Sequence, residues 1–225
     1  MATYVLIHGA ADSAWFWHLL DAELRERGHD VVAVDLPCED DSAGLAEYTD
    51  AVVDAIGDRT DLVVVAQSFG GFTAPLVCER VPVDLLVFLA GMIPSPGERP
   101  GDWWTNTGYK SPEPDDGATG DEATIAAFLH DVPPELAAEA LRRGRDQSGT
   151  PMEKPWPLDK WPDVPTRFLL CRDDRFFTAE FMRRVARDRL GITPDEIDGS
   201  HCVALSRPKE LAERLETFRA ELQGR

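Results

Sequence analysis

The stretch VVVAQSFGGF, residues 63–72, carries an apolar run directly into a serine that two glycines follow. The run predicts a buried strand over residues 62–66, and the residues after it predict a helix over 69–80. One interpretation of Ser68 is an ordinary turn, because serine and glycine are common where a strand ends. The other is a tight strand-to-helix turn that exposes the hydroxyl of Ser68 as a nucleophile. The rest of the chain decides between them.

Apolar runs and amphipathic segments alternate along most of the chain. The apolar runs predict strands at residues 4–8, 31–35, 62–66, 85–90, 166–171 and 193–197. Amphipathic spacing predicts helices at residues 15–27, 45–56, 69–80, 179–190 and 208–222. Strands that are apolar throughout and separated by helices indicate a parallel sheet with helices on both faces. The predicted fold class is therefore α/β.

Residues 91–165 interrupt this alternation with a segment rich in proline, glycine and aspartate, in which helices are predicted at 122–130 and 134–143. The segment also holds four tryptophans, Trp103, Trp104, Trp156 and Trp161. A disordered linker is one interpretation, but large aromatic side chains favour burial and hence an ordered cap. Long insertions of this kind are often functional lids. We predict one domain over residues 1–225, with a cap over residues 91–165.

Composition limits the possible partners. The chain has 225 residues, 43% of them hydrophobic, and a formal net charge of −18, which argues against nucleic acid because a phosphate backbone attracts basic surfaces. The four cysteines are scattered without a CxxC pair, so neither a metal site nor a disulfide framework is predicted. The N-terminus lacks a signal-peptide pattern, and no apolar run reaches membrane length. We expect a cytoplasmic protein that has no membrane partner.

A nucleophilic serine needs a base that takes its proton and a carboxylate that holds the base. On a sheet of this type these groups follow in the chain order serine, acid, histidine, each on a loop after a strand. His201 follows the last predicted strand, and Asp173 and Asp174 follow the strand before it. A solvated loop histidine and surface aspartates are the alternative for each alone. Together with Ser68 they predict a catalytic triad whose acid is one of the two aspartates.

The negative oxygen that forms when serine attacks a carbonyl needs preorganised N–H donors. The residue after the nucleophile, Phe69, supplies one donor at the start of a helix. The loop after the first strand, HGAADSAW, supplies the second, because Gly9 lets the backbone approach closely and Ala10 offers its N–H. We therefore expect an oxyanion hole between Ala10 and Phe69.

Six blocks of the chain resemble the α/β-hydrolases of the plant methylesterase and hydroxynitrile lyase group, and more closely the bacterial hydrolases of that group. The blocks are YVLIHGAADSAWFWHLL, GHDVVAVDLP, AQSFGG, VFLAGMIPSPGE, DDRFFTAEF and GSHCVALSRPKELAERL. The resemblance covers nearly the whole chain except the middle of the cap. It implies a mostly parallel six-stranded sheet flanked by helices, with a small helical cap inserted after the fourth strand.

The resemblance also assigns roles. It implies Ser68 as the nucleophile, His201 as the base and Asp174 as the acid in preference to Asp173. The oxyanion donors that it implies are again Ala10 and Phe69, and it implies no metal and no organic cofactor. The chain departs from the family pattern at the first position of the serine turn, which is usually glycine and is Ala66 here.

Three functions fit this group: a carboxylesterase, a carbon–carbon lyase that cleaves cyanohydrins, and a ligand receptor without turnover. The family's lyases, as the resemblance implies, carry lysine directly after the catalytic histidine and threonine directly after the first-strand histidine. This chain has Cys202 and Gly9 at those positions. The intact Ser–Asp–His set argues against a receptor. We therefore predict ester hydrolysis through an acyl-enzyme.

The substrate is expected to be a small apolar or aromatic ester. The residues predicted to line its pocket are Gly9, Met92, Trp103, Trp104, Phe128, Phe177 and Cys202. The large apolar side chains among them have an equal alternative, which is packing in the core or within the cap. The sequence leaves open whether the protein forms a homodimer.

Overall fold

Six parallel strands form one sheet in the computed structural model, which describes residues 1–112 and 119–224. The strands are β1 (Thr3–Ile7), β2 (Asp30–Val34), β3 (Leu62–Gln67), β4 (Leu85–Leu89), β5 (Thr166–Cys171) and β6 (Asp195–Ile197). Their spatial order is β2-β1-β3-β4-β5-β6, so the chain turns one way after β1 and the other way after β3. The carboxyl ends of β1 and β3 therefore border the crevice in which sheets of this class bind ligands.

Alternate side chains of each strand enter two separate cores. In β1, Val5 and Ile7 pack on one face of the sheet, and Tyr4 and Leu6 pack on the other. All four are fully buried, as expected for a central strand covered on both sides. The predicted six-stranded α/β fold is confirmed.

Nine α-helices surround the sheet within the described residues. They are α1 (His18–Glu26), α2 (Leu45–Ile56), α3 (Ala74–Cys78), α4 (Trp103–Asn106), α5 (Gly120–Thr124), α6 (Pro134–Arg143), α7 (Ala179–Leu190), α8 (Val203–Ser206) and α9 (Pro208–Gln223). Buried residues of α2, α3 and α7 cover one face of the sheet, and those of α1, α8 and α9 cover the other. Within the described ranges, the structure contains no helix with both the length and the apolar character that a membrane crossing requires.

Three predicted helices are divided. The helix predicted at 15–27 begins with a 3₁₀ turn, Ala14–Trp17, and the one at 69–80 is a 3₁₀ turn, Ser68–Phe72, followed by the short α3. Two adjacent glycines and Pro75 explain the second division, because glycine weakens a helix and proline lacks the N–H that continues it. The helix at 122–130 is α5 followed by a π-helical turn.

The segment between β4 and β5 contacts the body of the fold through buried aromatic and ionic groups. The indole N–H of Trp156 donates to the carbonyl of Phe72 at 3.0 Å. The guanidinium of Arg189 pairs with the buried carboxylate of Glu98, with a shortest N–O distance of 2.6 Å. The domain and cap boundaries stay predictions, and residues 113–118 of the predicted cap lie outside the described residues.

Candidate active site

Ser68 stands on a strained turn directly after β3. Its φ is 50°, in the left-handed region that non-glycine residues rarely adopt. The N–H of Met92 donates to the carbonyl of Ser68 at 2.8 Å, which fixes the turn. A side chain on Gly71 would overlap the carbonyl oxygen of Met92, so this approach requires glycine. Ala66 lies inside β3 without a positive φ, and its methyl group therefore introduces no strain there.

Asp174 and His201 form a buried hydrogen-bonded pair. The Nδ1 of His201 lies 2.7 Å from Oδ2 of Asp174. The other carboxylate oxygen of Asp174 accepts the N–H groups of Phe176 and Phe177, at 2.8 and 2.9 Å. Because a carboxylate accepts here, the imidazole carries its proton on Nδ1 and keeps a basic lone pair on Nε2.

Asp173 faces away from the imidazole. Its Oδ2 accepts the N–H of Gly199 at 2.9 Å, and its own N–H donates to the carbonyl of Gly199 at 3.1 Å. The structure therefore brings Asp174, and not Asp173, to His201. Asp173 instead ties the loop after β5 to the loop that carries His201.

One cavity of about 450 Å³ contains both Ser68 and His201 in its lining. The predicted substrate-binding residues that also line it are Gly9, Met92, Trp104, Phe128 and Cys202, and the predicted oxyanion donors Ala10 and Phe69 line it as well. Among the described residues no hydrogen bond joins the Ser68 hydroxyl to the imidazole. Such bonds are often long without substrate, so the arrangement stays compatible with proton transfer.

Trp103 and Phe177 do not line this cavity, which corrects the prediction for these two residues. Trp103 is fully buried and donates its indole N–H to the carbonyl of Ile93 at 2.9 Å. Phe177 is 1% exposed and packs against Trp103 with ring centroids 5.5 Å apart. Both rings belong to the packing beneath the loop that carries Asp174. Large apolar side chains favour such a core position as much as a pocket lining.

The loop after β1 is held by a buried histidine. The Nδ1–H of His8 donates to the carbonyl of Gly9 at 2.7 Å, and its Nε2 accepts the N–H of Leu36 at 3.1 Å. Burial lowers the pKa of His8 to about 4, so the ring is neutral as this bonding requires. The following N–H, of Ala10, has no acceptor in the part of the chain that the structure describes. Phe69 lies in the first turn of the 3₁₀ segment, where N–H groups lack helical partners.

Residues 4–214 match the alpha/beta hydrolase family. The protein belongs to that family. It is 29% identical over 250 residues to a probable esterase of Oryza sativa subsp. indica, with 94% of each chain covered. It is 26% identical over 243 residues to methylesterase 7 of Arabidopsis thaliana, with 92% of each covered. These relatives confirm the predicted methylesterase-like group.

The fold of this hydrolase also resembles that of polyneuridine aldehyde esterase. The structures superpose with a TM-score of 0.84, covering 97% of this chain and 99% of the other at 22% identity. At that identity the likeness concerns the fold.

Several lining residues of the hydrolase were not predicted. They include Asp12, Trp15, Phe16, Gln67, Arg145 and Phe176. Asp12 lies two residues past the predicted oxyanion donor Ala10, and Gln67 directly precedes Ser68. Closeness in sequence to predicted site residues was therefore the signal that could have identified Asp12 and Gln67 as lining residues. Gln67 donates its side-chain N–H to the carbonyl of His201 at 3.4 Å. It thus connects the serine turn with the histidine loop.

Proposed function

We propose that the protein is a serine esterase that cleaves a small carboxylic ester through an acyl-enzyme. One observation carries this proposal: the buried Asp174–His201 pair opens onto the same cavity as the strained turn that presents Ser68. Strained backbone at a cavity-facing nucleophile is typical of a functional site. The esterase names of the curated relatives support the same reaction class.

In the first half-reaction, Oγ of Ser68 attacks the ester carbonyl carbon while Nε2 of His201 takes the hydroxyl proton. The carbonyl oxygen becomes an oxyanion that the N–H groups of Ala10 and Phe69 are positioned to bind. Collapse of this intermediate expels the alcohol, which receives the proton from His201. Asp174 holds the imidazole tautomer and stabilises the imidazolium.

In the second half-reaction, water replaces the alcohol. His201 takes a proton from the water as its oxygen attacks the acyl carbon of the Ser68 ester. The second tetrahedral intermediate then releases the carboxylic acid, and the proton returns to Oγ of Ser68. The cycle needs no metal or organic cofactor, since the serine, the histidine and water supply every proton and bond.

The cavity supports a small apolar or aromatic ester as substrate. Its volume of about 450 Å³ suits a small molecule. The rings of Trp104 and Phe128 are part of its lining, and aromatic faces favour apolar groups. A cap over residues 91–165 fits this proposal because the segment contributes both rings. The cytoplasmic location stays a prediction, and the homodimer stays an open question.

The test is ester hydrolysis by the purified protein across short-chain, aromatic and methyl esters. Ser68→Ala should reduce kcat by roughly 10⁴-fold or more. The matched control is Ser111→Ala, because Ser111 is an exposed serine outside the cavity lining. A phosphonate reagent should add once, at Ser68, as read by peptide mass spectrometry. Turnover by Ser68→Ala at the rate of the unmodified protein would contradict the proposal.

A further inference from the structure

The cavity contains one carboxylate that the esterase cycle does not use. Asp12 is part of the lining together with Ser68 and His201. Its Oδ1 accepts the N–H of the adjacent Ser13 at 2.8 Å. Within residues 1–112 and 119–224, no lysine, arginine or histidine side chain forms an ion pair with it. Asp12 therefore brings negative charge to the substrate space without a direct ion pair among these residues.

The arginine of the same lining is already engaged. The guanidinium of Arg145 donates to the carboxylate of Glu39 at 3.0 and 3.1 Å. It also donates to the carbonyl oxygens of Leu36 and Asp12, at 3.1 and 3.5 Å. Arg145 thus joins three loops, and its charge is balanced by Glu39 instead of by the Asp12 carboxylate.

The other walls of the cavity favour a cation. The tryptophan and phenylalanine side chains in its lining are Trp15, Phe16, Phe69, Trp104, Phe128 and Phe176. The guanidinium of Arg143 already lies over the Trp15 ring, 5.0 Å from its centroid, so the other rings are the ones open to a ligand. Aromatic faces attract ammonium groups through their quadrupole, and a nearby carboxylate adds a charge-assisted hydrogen bond. We propose that Asp12 determines specificity by selecting esters whose alcohol or acyl part carries a protonated amine. The proposal rests on the esterase function above and names the substrate class of that site.

The charges around Asp12 agree with this role. Burial raises the pKa of Asp12 to about 6, the neighbouring Arg145 and His201 lower it, and Asp35 raises it. The carboxylate is therefore ionised above pH 6 but poorly solvated, and a bound ammonium would restore the compensation that burial removes. A substrate carboxylate would meet this charge and the net charge of −18 on the whole chain.

Isosteric esters separate charge from shape. One pair is 2-(dimethylamino)ethyl phenylacetate and 3-methylbutyl phenylacetate, which differ only by nitrogen in place of CH in the alcohol. The other pair is methyl 4-(dimethylamino)butanoate and methyl 5-methylhexanoate, which differ in the same way in the acyl part. We expect kcat/KM at pH 7.5 to favour the amine by about tenfold or more in at least one pair.

The variant Asp12→Asn should bring this ratio close to one. Asp146→Asn is the control, because Asp146 is an exposed carboxylate next to the lining residue Arg145 and does not itself line the cavity, so this variant should keep the ratio. In the unmodified protein the ratio should also fall as pH drops through about 6, the pKa of Asp12, and it should stay flat in Asp12→Asn.

The outcomes separate the role of Asp12 from the esterase function. Hydrolysis of the neutral esters with a ratio near one in both pairs would overturn the role of Asp12 and leave the esterase standing. A ratio that survives Asp12→Asn would do the same. If the unmodified protein cleaves neither ester of either pair, nor any ester of the wider panel, both proposals fail. The pH dependence of the ratio in the unmodified protein tests the role independently of how well Asp12→Asn folds.

Discussion

The imidazole of His201 lies 2.7 Å from the carboxylate of Asp174, and both residues are 4% exposed. Three phenylalanine rings, those of Phe128, Phe176 and Phe177, surround the imidazole at centroid distances of 5.4 to 5.6 Å. The rings thus shield the pair from water, and a charge-assisted hydrogen bond is stronger in such an environment than in water. Among the described residues, Asp174 is the hydrogen-bond partner of the imidazole, so the orientation of the ring depends chiefly on this carboxylate.

Asp174→Asn should therefore reduce kcat by about 10⁴-fold, because an amide in this position favours the wrong imidazole tautomer. Asp173→Asn is the matched control, since Asp173 bonds the backbone of Gly199 and does not contact the imidazole. We expect this control to lose much less activity. Steady-state hydrolysis of a nitrophenyl ester measures both variants, and the reverse order of effects would assign the acid to Asp173.

The ion pair between Glu98 and Arg189 should contribute to stability through its burial. Their side chains are 3% and 11% exposed. Glu98→Gln leaves the guanidinium without its charge partner, which should lower the free energy of unfolding by about 3–5 kcal/mol. The exposed pair of Asp50 and Arg80 provides the comparison, and Asp50→Asn should cost about 1 kcal/mol or less. Urea unfolding measures both, and equal losses would contradict the argument from burial.

The sequence predicted the sheet and the order of the triad because both depend on local patterns. Runs of apolar residues identify buried strands, and loops at their carboxyl ends carry Ser68, Asp174 and His201. The choice between Asp173 and Asp174 could not be derived from spacing, because adjacent loop residues point in directions that tertiary contacts decide. The resemblance to a family provided that choice.

The pocket was harder to predict than the triad. Trp103 and Trp104 are adjacent in sequence, yet one is fully buried in the core and the other lines the cavity. Hydrophobicity is the same in both places, so composition does not separate them. Asp12 was missed because an aspartate in a loop normally faces water, and its partial burial in the cavity follows only from how the loops assemble.

His8 should make the protein less stable in mild acid. Its pKa is 6.5 in the unfolded chain and about 4 in the folded protein, chiefly because of burial. The unfolded state therefore binds the proton first, and stability is lost as pH falls from 6.5 towards 4. We expect about 2 kcal/mol of this loss between pH 7.5 and pH 5. His8→Gln should remove that part of the pH dependence in denaturant unfolding, and parallel curves for the two proteins would contradict the assignment.

Gly9 should tolerate no side chain. A Cβ at this position would overlap Oε1 of Gln67 and lie 2.9 Å from Cβ of Ser68. Gly9→Ala should therefore displace the nucleophile and reduce kcat/KM for esters by about tenfold or more, since small displacements of reacting groups have large effects on rate. Gly149→Ala is the control, because its Cβ would meet no atom within 4 Å. Unchanged kinetics in Gly9→Ala would show that the serine turn can adjust.

Gly9 and Cys202 together predict that the protein does not cleave cyanohydrins. The resemblance implies that lyases of this group use a lysine after the catalytic histidine, where this chain has Cys202. Burial raises the pKa of the Cys202 thiol well above its usual value, so it offers no charge to a departing cyanide. The loss of one ammonium from a dry site costs roughly 100-fold or more in rate.

We expect hydrolysis of nitrophenyl acetate and no cyanide release from mandelonitrile above the buffer blank. Cys202→Lys alone should not create a lyase, because position 9 is still glycine and lacks the threonine that the resemblance implies for the lyases. Strong cyanide release without ester turnover would overturn the esterase function and leave the fold and the triad geometry unchanged.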